Sequence, residues 1–267
     1  MTASRSSRLG LRTVALGYLA ALLVLPVGMV FYRTFEHGLA AAWHAVTTPD
    51  AIHAFWLTIL MVAIAVPANT IFGVGAALLL VRGRFRGRAF LGALIDIPFA
   101  VSPVVVGLAL ILVYGNAGWF GGWLTDHGLR IIFSWPGMAL ATIFVSLPFV
   151  AREVVPVLRE IGTDQEEAAH TLGASPGQTF WRVTLPAIRW GLAYGVILTT
   201  ARALGEFGAV SVVSGKLAGQ TQTLTLFVED RYQSFDLTGT YAASVVLALL
   251  AIAVILTLTL LDRRKET

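Results

Sequence analysis

The chain has 267 residues, of which 57% are hydrophobic and only 13% charged, and its mean hydropathy is +0.77. A soluble domain carries about 25% charged residues, so this much apolar surface cannot hide in one water-soluble core, and an all-α integral membrane protein is expected. The absence of cysteine excludes disulfide, zinc-thiolate and thiol chemistry, and the formal charge of +4 is laid out as a topology signal rather than a nucleic-acid patch.

A spanning helix needs roughly 20 mainly apolar residues. Six segments meet or approach this length: 13–32, about 55–81, about 93–114, 131–151, about 190–213 and 237–261. The first has the outline of a secretory signal, with a basic start and Ala40, Ala41 and Ala42 beyond it. Glu36 and His37 separate the run from that triplet, and the run is longer than a usual signal core, so an uncleaved span is favoured. Trp119, Trp123 and Trp135 flank the facing ends of segments three and four, where interfacial anchoring explains them. Pro26, Pro67, Pro98, Pro103 and Pro148 lie in or beside spans, where neighbouring helices re-satisfy the carbonyls that proline frees. The five histidines have no metal-ligand spacing, and no metal site is expected.

Orientation follows from the basic residues. The N-terminal tail carries Arg5, Arg8 and Arg12; the 2–3 connection Arg82, Arg84, Arg86 and Arg88; the 4–5 connection Arg152, Arg159, Arg182 and Arg189; the C-terminal tail Arg263, Arg264 and Lys265. These 14 lie on one side, against Arg130, Lys216 and Arg231 on the other. Both termini and the 4–5 connection are therefore expected in the cytoplasm. The organisation read from this is a cytoplasmic tail 1–13, a single transmembrane domain 14–262 with a loop at about 156–189, and a second tail 263–267.

The 4–5 loop is the most informative stretch. Thr163-Asp-Gln-Glu166 has the form of a capping box opening a helix from Gln165 to Leu172, with Ala168, Ala169 and Leu172 on one face. Gly173 is placed to end that helix in the left-handed region. Ser175-Pro-Gly-Gln178 is a second capping box, with Pro176 at the first helical position. Leu185-Pro186 then starts the fifth span. Two short helices with a tight glycine turn between them are predicted.

Glu167, Ala168, Ala169, Gly173, Leu185 and Pro186 stand at the spacing of the EAA loop of ABC-importer permeases, with Val183 where isoleucine is usual. Asp96-Ile-Pro-Phe-Ala-Val-Ser-Pro-Val-Val-Val-Gly107, Phe133-Ser-Trp-Pro-Gly-Met138 and Arg202-Ala-Leu-Gly-Glu-Phe-Gly-Ala-Val-Ser-Val-Val-Ser-Gly215 resemble the W-type permeases of bacterial sulfate/thiosulfate importers. The last stretch is shared with the paired T-type subunits and with molybdate permeases. The resemblance covers roughly residues 14 to 262. It implies a type I ABC-importer permease fold of six transmembrane helices, with a cytoplasmic coupling-helix loop, in the bacterial inner membrane. The implied partners are ATP-binding cassette subunits seated on Glu167, Ala168, Ala169, Leu172, Gly173, Val183, Leu185 and Pro186, a second, T-type permease, and a periplasmic sulfate/thiosulfate-binding protein. ATP and Mg²⁺ would be used by the partner ATPase, with no cofactor on this chain.

Arg202 and Glu206 are four residues apart and can pair on one helix face. A lone mid-membrane charge costs about 2.5–3.5 kcal/mol on insertion scales. A structural clamp at the bundle or dimer interface is favoured over attraction of a dianion, because the pair neutralises the arginine's field. Asp96, near the end of segment three, is expected to pair with Arg88 or a neighbour. Hydroxyls and backbone N–H groups also bind oxyanions, which makes Ser102, Thr199, Thr200, Ser211 and Ser214 candidate pathway residues, although bonding to the helix backbone is the commoner use.

The sequence contains no P-loop, since Gly215-Lys216 is followed by Leu217 and lacks the upstream glycine. An enzyme is not expected. A molybdate/tungstate permease remains an alternative. So does an ion-coupled secondary anion transporter, which would need more intramembrane ionisable groups than the few here.

Overall fold

The structure, a computed structural model, describes residues 5–263, with side chains described from residue 11 to 257. The described residues contain helices and turns and no strand. Most of the expected tail 1–13 is helical, because α1 starts at Arg5; of the expected tail 263–267, all but Arg263 lies outside the described residues.

Helix α1 (Arg5–Leu19), a π-helical turn (Ala20–Val24) and α2 (Leu25–Phe35) form one rod. The turn has a cause. Pro26 has no N–H, and its ring crowds the carbonyl four residues back, so the preceding turn widens until the Leu25 N–H reaches the Ala20 carbonyl. The same device recurs before Pro186, where the Leu185 N–H reaches the Phe180 carbonyl. Among its described side chains the rod buries only Thr34, and most of its large apolar side chains stay exposed, as suits a helix facing lipid.

Gly38, at φ 90°, turns the chain into α3 (Leu39–Val46). Thr48 caps α4 (Pro49–Arg82), its Oγ1 accepting the Ala51 N–H, with Pro49 and Asp50 in the first turn. At 34 residues α4 is about 50 Å long, against a hydrocarbon core of about 30 Å, so one end of it projects.

The expected third span is two helices, α5 (Arg88–Ala100) and α6 (Pro103–Tyr114), bent by 111°. Pro103 forces the residue before it out of the helical region, and both Val101 and Ser102 have extended ψ angles. A short α7 (Gly121–Asp126) follows, with Trp119, Trp123 and Trp135 exposed around it.

The fourth span is α8 (Trp135–Ser146) continued by α9 (Pro148–Ile161), so it runs ten residues beyond its expected end at 151. Val150, Ala151, Val154 and Leu158 recur at helical spacing and form the buried stripe of α9. The loop expected from about 156 therefore begins only at Gly162. It holds α10 (Asp164–Thr171) and α11 (Pro176–Thr179), which passes through a π-helical turn (Phe180–Thr184) into α12 (Leu185–Leu204).

The expected fifth span, 190–213, is also corrected. Helix α12 begins earlier, ends at Gly205, and leaves Glu206 in a turn before α13 (Val210–Val213). Helices α14 (Leu224–Gln233) and α15 (Leu237–Arg263) close the chain. Among the described residues four helical stretches are long and apolar enough to cross a membrane: Leu11–Phe35, Pro49–Arg82, Trp135–Ile161 and Leu237–Thr257, and the bent α5–α6 pair would make a fifth. Helix α12 is about 30 Å long but less apolar, carrying Arg189 and Arg202. The arrangement is consistent with six segments.

Helices α4, α9 and α12 form the centre. A Cβ on Gly73 would lie 2.6 Å from the Val150 Cβ, and one on Gly195 would lie 2.8 Å from the Val150 Cα, so both glycines are needed for the helices to cross this closely. A second apolar cluster joins α4, α8 and α13, while α2, α3 and α14 pack on α15.

Candidate functional site

The loop between α9 and α12 is built on two kinds of contact. Its outer shape is local. Helix α10 ends in a Schellman motif: Gly173, at φ 85°, donates to the His170 carbonyl at 3.0 Å, and Ala174 to the Ala169 carbonyl at 3.0 Å. The second capping box forms as predicted, with Ser175 N donating to Gln178 Oε1 at 2.9 Å and Gln178 N to Ser175 Oγ at 3.3 Å. The first capping box does not form. Thr163 Oγ1 donates instead to Glu167 Oε1 at 2.7 Å, and Glu166 is drawn inward by a stronger partner.

That partner is Arg82, in the last turn of α4. Its Nε donates to Glu166 Oε2 at 2.9 Å and its Nη1 to the Leu158 carbonyl at 3.1 Å, while Nη2 reaches the Gly162 carbonyl. Thr184 Oγ1, at the foot of α12, donates to Glu166 Oε1 at 2.9 Å. The guanidinium fork thus satisfies the last carbonyls of α9 and the carboxylate at once. The Arg82 and Glu166 side chains are 20% and 16% exposed. Removing one member of such a pair leaves the other charge in poor solvent, at a cost of about 3–5 kcal/mol for a fully buried pair. One contact set therefore ties α4, α9, α10 and α12 together.

The opposite side of the loop is open. Glu167 and Ala168 are exposed, Ala169 is half-buried, and Leu172 is 88% exposed. Trp181 also lies in the open. Val183 and Leu185 turn partly inward, with Leu185 packing on the α4–α9–α12 core, and Pro186 is exposed. The motif residues thus make a small apolar projection on a charged, anchored base.

Within the bundle, Arg202 and Glu206 do pair, at 2.8 Å between Nη2 and Oε2, in a geometry outside that of a hydrogen bond. They do not share a helix face, because α12 has ended before Glu206. Glu206 Oε1 accepts the Ala209 N–H at 2.8 Å, and its backbone carbonyl accepts from Thr225 Oγ1 at 2.9 Å. The carboxylate thereby holds the turn that leads into α13. Asp96 pairs in bidentate fashion with Arg152 on α9, and not with Arg88.

The five candidate hydroxyls are dispersed. Ser102 sits exposed at the α5–α6 bend, and Ser211 on α13 donates to the Gly208 carbonyl at 2.9 Å. A Cβ on Gly208 would lie 2.9 Å from the Pro103 Cβ, so these two serines flank one seam. Thr199, fully buried, and Thr200 donate to the carbonyls of Gly195 and Val196. Ser214 is buried and donates to the Thr221 carbonyl. Four of the five hydroxyl protons are committed to backbone.

Sequence reasoning missed Arg82, Glu166 and Thr184 as one unit, and Arg152 as the partner of Asp96. It also missed Asn69, buried on α4, whose Nδ2 donates to the Ile143 carbonyl at 3.0 Å and to Ser146 Oγ at 2.9 Å. A lone asparagine in an otherwise apolar span was the available signal.

Residues 69–267 match the family described as "Binding-protein-dependent transport system inner membrane component". The chain is 53% identical over 251 residues to the "Sulfate transport system permease protein CysW" of Synechocystis sp., covering 94% of this chain and 91% of that one. It is 39% identical over 241 residues to the "Sulfate transport system permease protein CysT" of Escherichia coli, covering 88% and 87%. A crystal structure of a bacterial ABC transporter involved in the import of the acidic polysaccharide alginate superposes with a TM-score of 0.78 at 15% identity, covering 96% of this chain and 94% of that one. At that identity the likeness concerns the fold.

Proposed function

The chain belongs to the family of binding-protein-dependent transport system inner membrane components, and from that premise we propose that it is the membrane subunit of an ATP-driven importer of sulfate, forming half of the translocation pathway. The observation that carries the mechanism is the α10–α11 loop: an exposed apolar projection, Leu172 foremost, on a base fastened to three helices through Arg82 and Glu166. An ATPase subunit docks on that projection from the cytoplasm, through Glu167, Ala168, Ala169, Leu172 and Gly173. When two such subunits close on ATP, the loop moves as a rigid handle. Because α4, α9 and α12 share its anchor, they move with it and rock the bundle between outward and inward access.

The similarity to both W-type and T-type sulfate permeases supports pairing with a related second permease, and the family supports delivery by a periplasmic binding protein. Both termini lie in the cytoplasm on the arginine count. Thiosulfate is carried by the same route, its tetrahedral dianion having the charge and near the size of sulfate. The Arg202–Glu206 pair acts as a clamp on the α12–α13 turn, because Glu206 already neutralises its arginine.

Replacing Gly173 by tryptophan tests the docking role. At φ 85° a bulky side chain is strained, and it would stand in the docking face. Normal membrane insertion with loss of ATPase-subunit association and of ATP-dependent sulfate uptake is the expected result. Unchanged uptake by proteoliposomes of the assembled importer would refute it. In the same vesicles, thiosulfate should compete with sulfate more strongly than molybdate does; the reverse order would move the substrate assignment to molybdate.

A further inference from the structure

We propose that the cleft between α5 and α8–α9 is a binding site for an anionic phospholipid, with its headgroup at the arginine-rich end of the bundle and an acyl chain along α5. At that end a cavity of about 680 Å³ lies between α4, α5 and α9, and its ionisable lining is Arg88, Asp96, Arg152 and Arg159. Asp96 is spent on Arg152 in the bidentate pair that joins α5 to α9. Arg88 and Arg159 form no ion pair among the described residues and are exposed. The lining therefore carries three cations against one anion. Of the other acids on α9, Glu153 has its Cβ close to Gly195 of α12, and Glu160 is exposed; neither lines the cavity.

The cavity does not end at the arginines. A second one, of about 290 Å³, lies further along the same seam, lined by Phe72, Leu91, Leu94, Ile97 and Phe144 among others, all apolar. Ile95 lines both and packs on Ala76 and Ala151, so the two adjoin at α5, one on each side of that residue. Leu94 and the neighbouring Phe90 are exposed, which opens the cleft sideways where a membrane helix meets lipid.

An arginine-lined cavity adjoining an apolar one on the same membrane helix matches one class of ligand. Arginine forks bind phosphate oxygens in parallel hydrogen bonds, and basic pockets between membrane helices on the cytoplasmic side hold anionic headgroups. A free oxyanion would use the arginines but leave the apolar stretch empty. A protein surface filling the cleft would have to meet the cationic surplus with carboxylates. Gly92 keeps the head of the cleft open: a Cβ there would only touch Leu80 Cδ2, at 3.8 Å, whereas a larger side chain would occupy the cavity.

The absence of cysteine makes a direct test clean. Leu94→Cys, labelled with bimane in the full-length chain and only then assembled with its partners, is placed in bilayer discs holding brominated phosphatidylglycerol or brominated phosphatidylcholine at graded mole fractions. Saturable quenching by phosphatidylglycerol at several-fold lower mole fraction than by phosphatidylcholine is the expected result. Arg88→Gln with Arg159→Gln, which leaves the Asp96–Arg152 pair intact, should erase that preference, and so should Gly92→Leu, which fills the head without changing charge. Equal quenching by the two lipids overturns the proposal. So does quenching by neither, the outcome if another protein covers the cleft, and so does a preference that survives both variants. The readout needs no transport, so it stands or falls separately from the sulfate assignment.

Discussion

The two ends of the bundle are fastened in different ways. At the end that carries α10, a few long charged side chains do the work: Arg82 reaches Glu166 and two carbonyls, and Arg152 reaches Asp96. At the other end the segment before α14 has one charged fastener, Lys216 to Glu229 at 2.9 Å, and is otherwise held by neutral groups. Thr58 Oγ1 accepts the Leu224 N–H at 2.8 Å, Thr225 donates to the Glu206 carbonyl, Ser214 to the Thr221 carbonyl, and His53 Nε2 meets the Gln220 carbonyl at 3.1 Å. Thr221, Gln222 and Thr223 are all buried there. Long charged arms can anchor a part that projects from the bundle and still leave its far side free. Short hydroxyls can only bond what is already in contact, so they seal a surface. The first arrangement suits a part that projects from the bundle, and the second a segment pressed against its neighbours.

If that contrast is right, single substitutions should act unequally at the two ends. Arg82→Gln removes the loop's ion pair together with the bonds to the Leu158 and Gly162 carbonyls, and leaves Glu166 with the Thr184 hydroxyl alone. A loss of about 3–5 kcal/mol is the scale for breaking a buried pair, and the partial exposure here places the change toward the lower figure. Limited proteolysis should then cut between residues 162 and 175 well before the rest of the chain, and transport should fall with it. A chain that unfolds as a whole, with no early nick, would show that the loop is not separately anchored. At the sealed end, Thr58→Val leaves the Leu224 N–H without an acceptor, at about 1–3 kcal/mol. Because the neighbouring bonds persist, thermal unfolding should shift while the protease pattern stays as in the parent chain. A new cut near residue 220 would mean that this end, too, hangs on one contact.

The same contrast explains what could be read in the sequence. The second capping box and the Gly173 turn depend on residues within five positions of each other, and both are where spacing puts them. Apolar run lengths located α4 and α15 to within a few residues at most ends. Local signals also misled. Thr163 and Glu166 have the right spacing for a capping box, but Arg82, 84 residues away, offers Glu166 a full charge and takes it. The segment 93–114 has the hydropathy of a span, yet the Ser102–Pro103 step bends it by 111°. Arg202 and Glu206 have helical spacing, yet Gly205 ends the helix between them, and the pair forms across a turn. In each case a tertiary partner or a backbone restriction overrode a pattern that was correct in isolation.

The smallest change worth making is at the loop's own cap. Ser175→Ala removes the acceptor for Gln178 N and nothing else, since Ser175 is exposed and its backbone N–H still reaches Gln178 Oε1. Loss of an N-cap costs about 1 kcal/mol, a few-fold shift in a local equilibrium. Amide exchange at Gln178 and Thr179 should quicken by about five-fold at that cost, whereas exchange in α10 should not change, because α10 is held by Glu166 and by its own Schellman turn. If exchange in α10 quickened equally, the two short helices would be opening as one unit. The docking face would then extend past α10 to include Trp181.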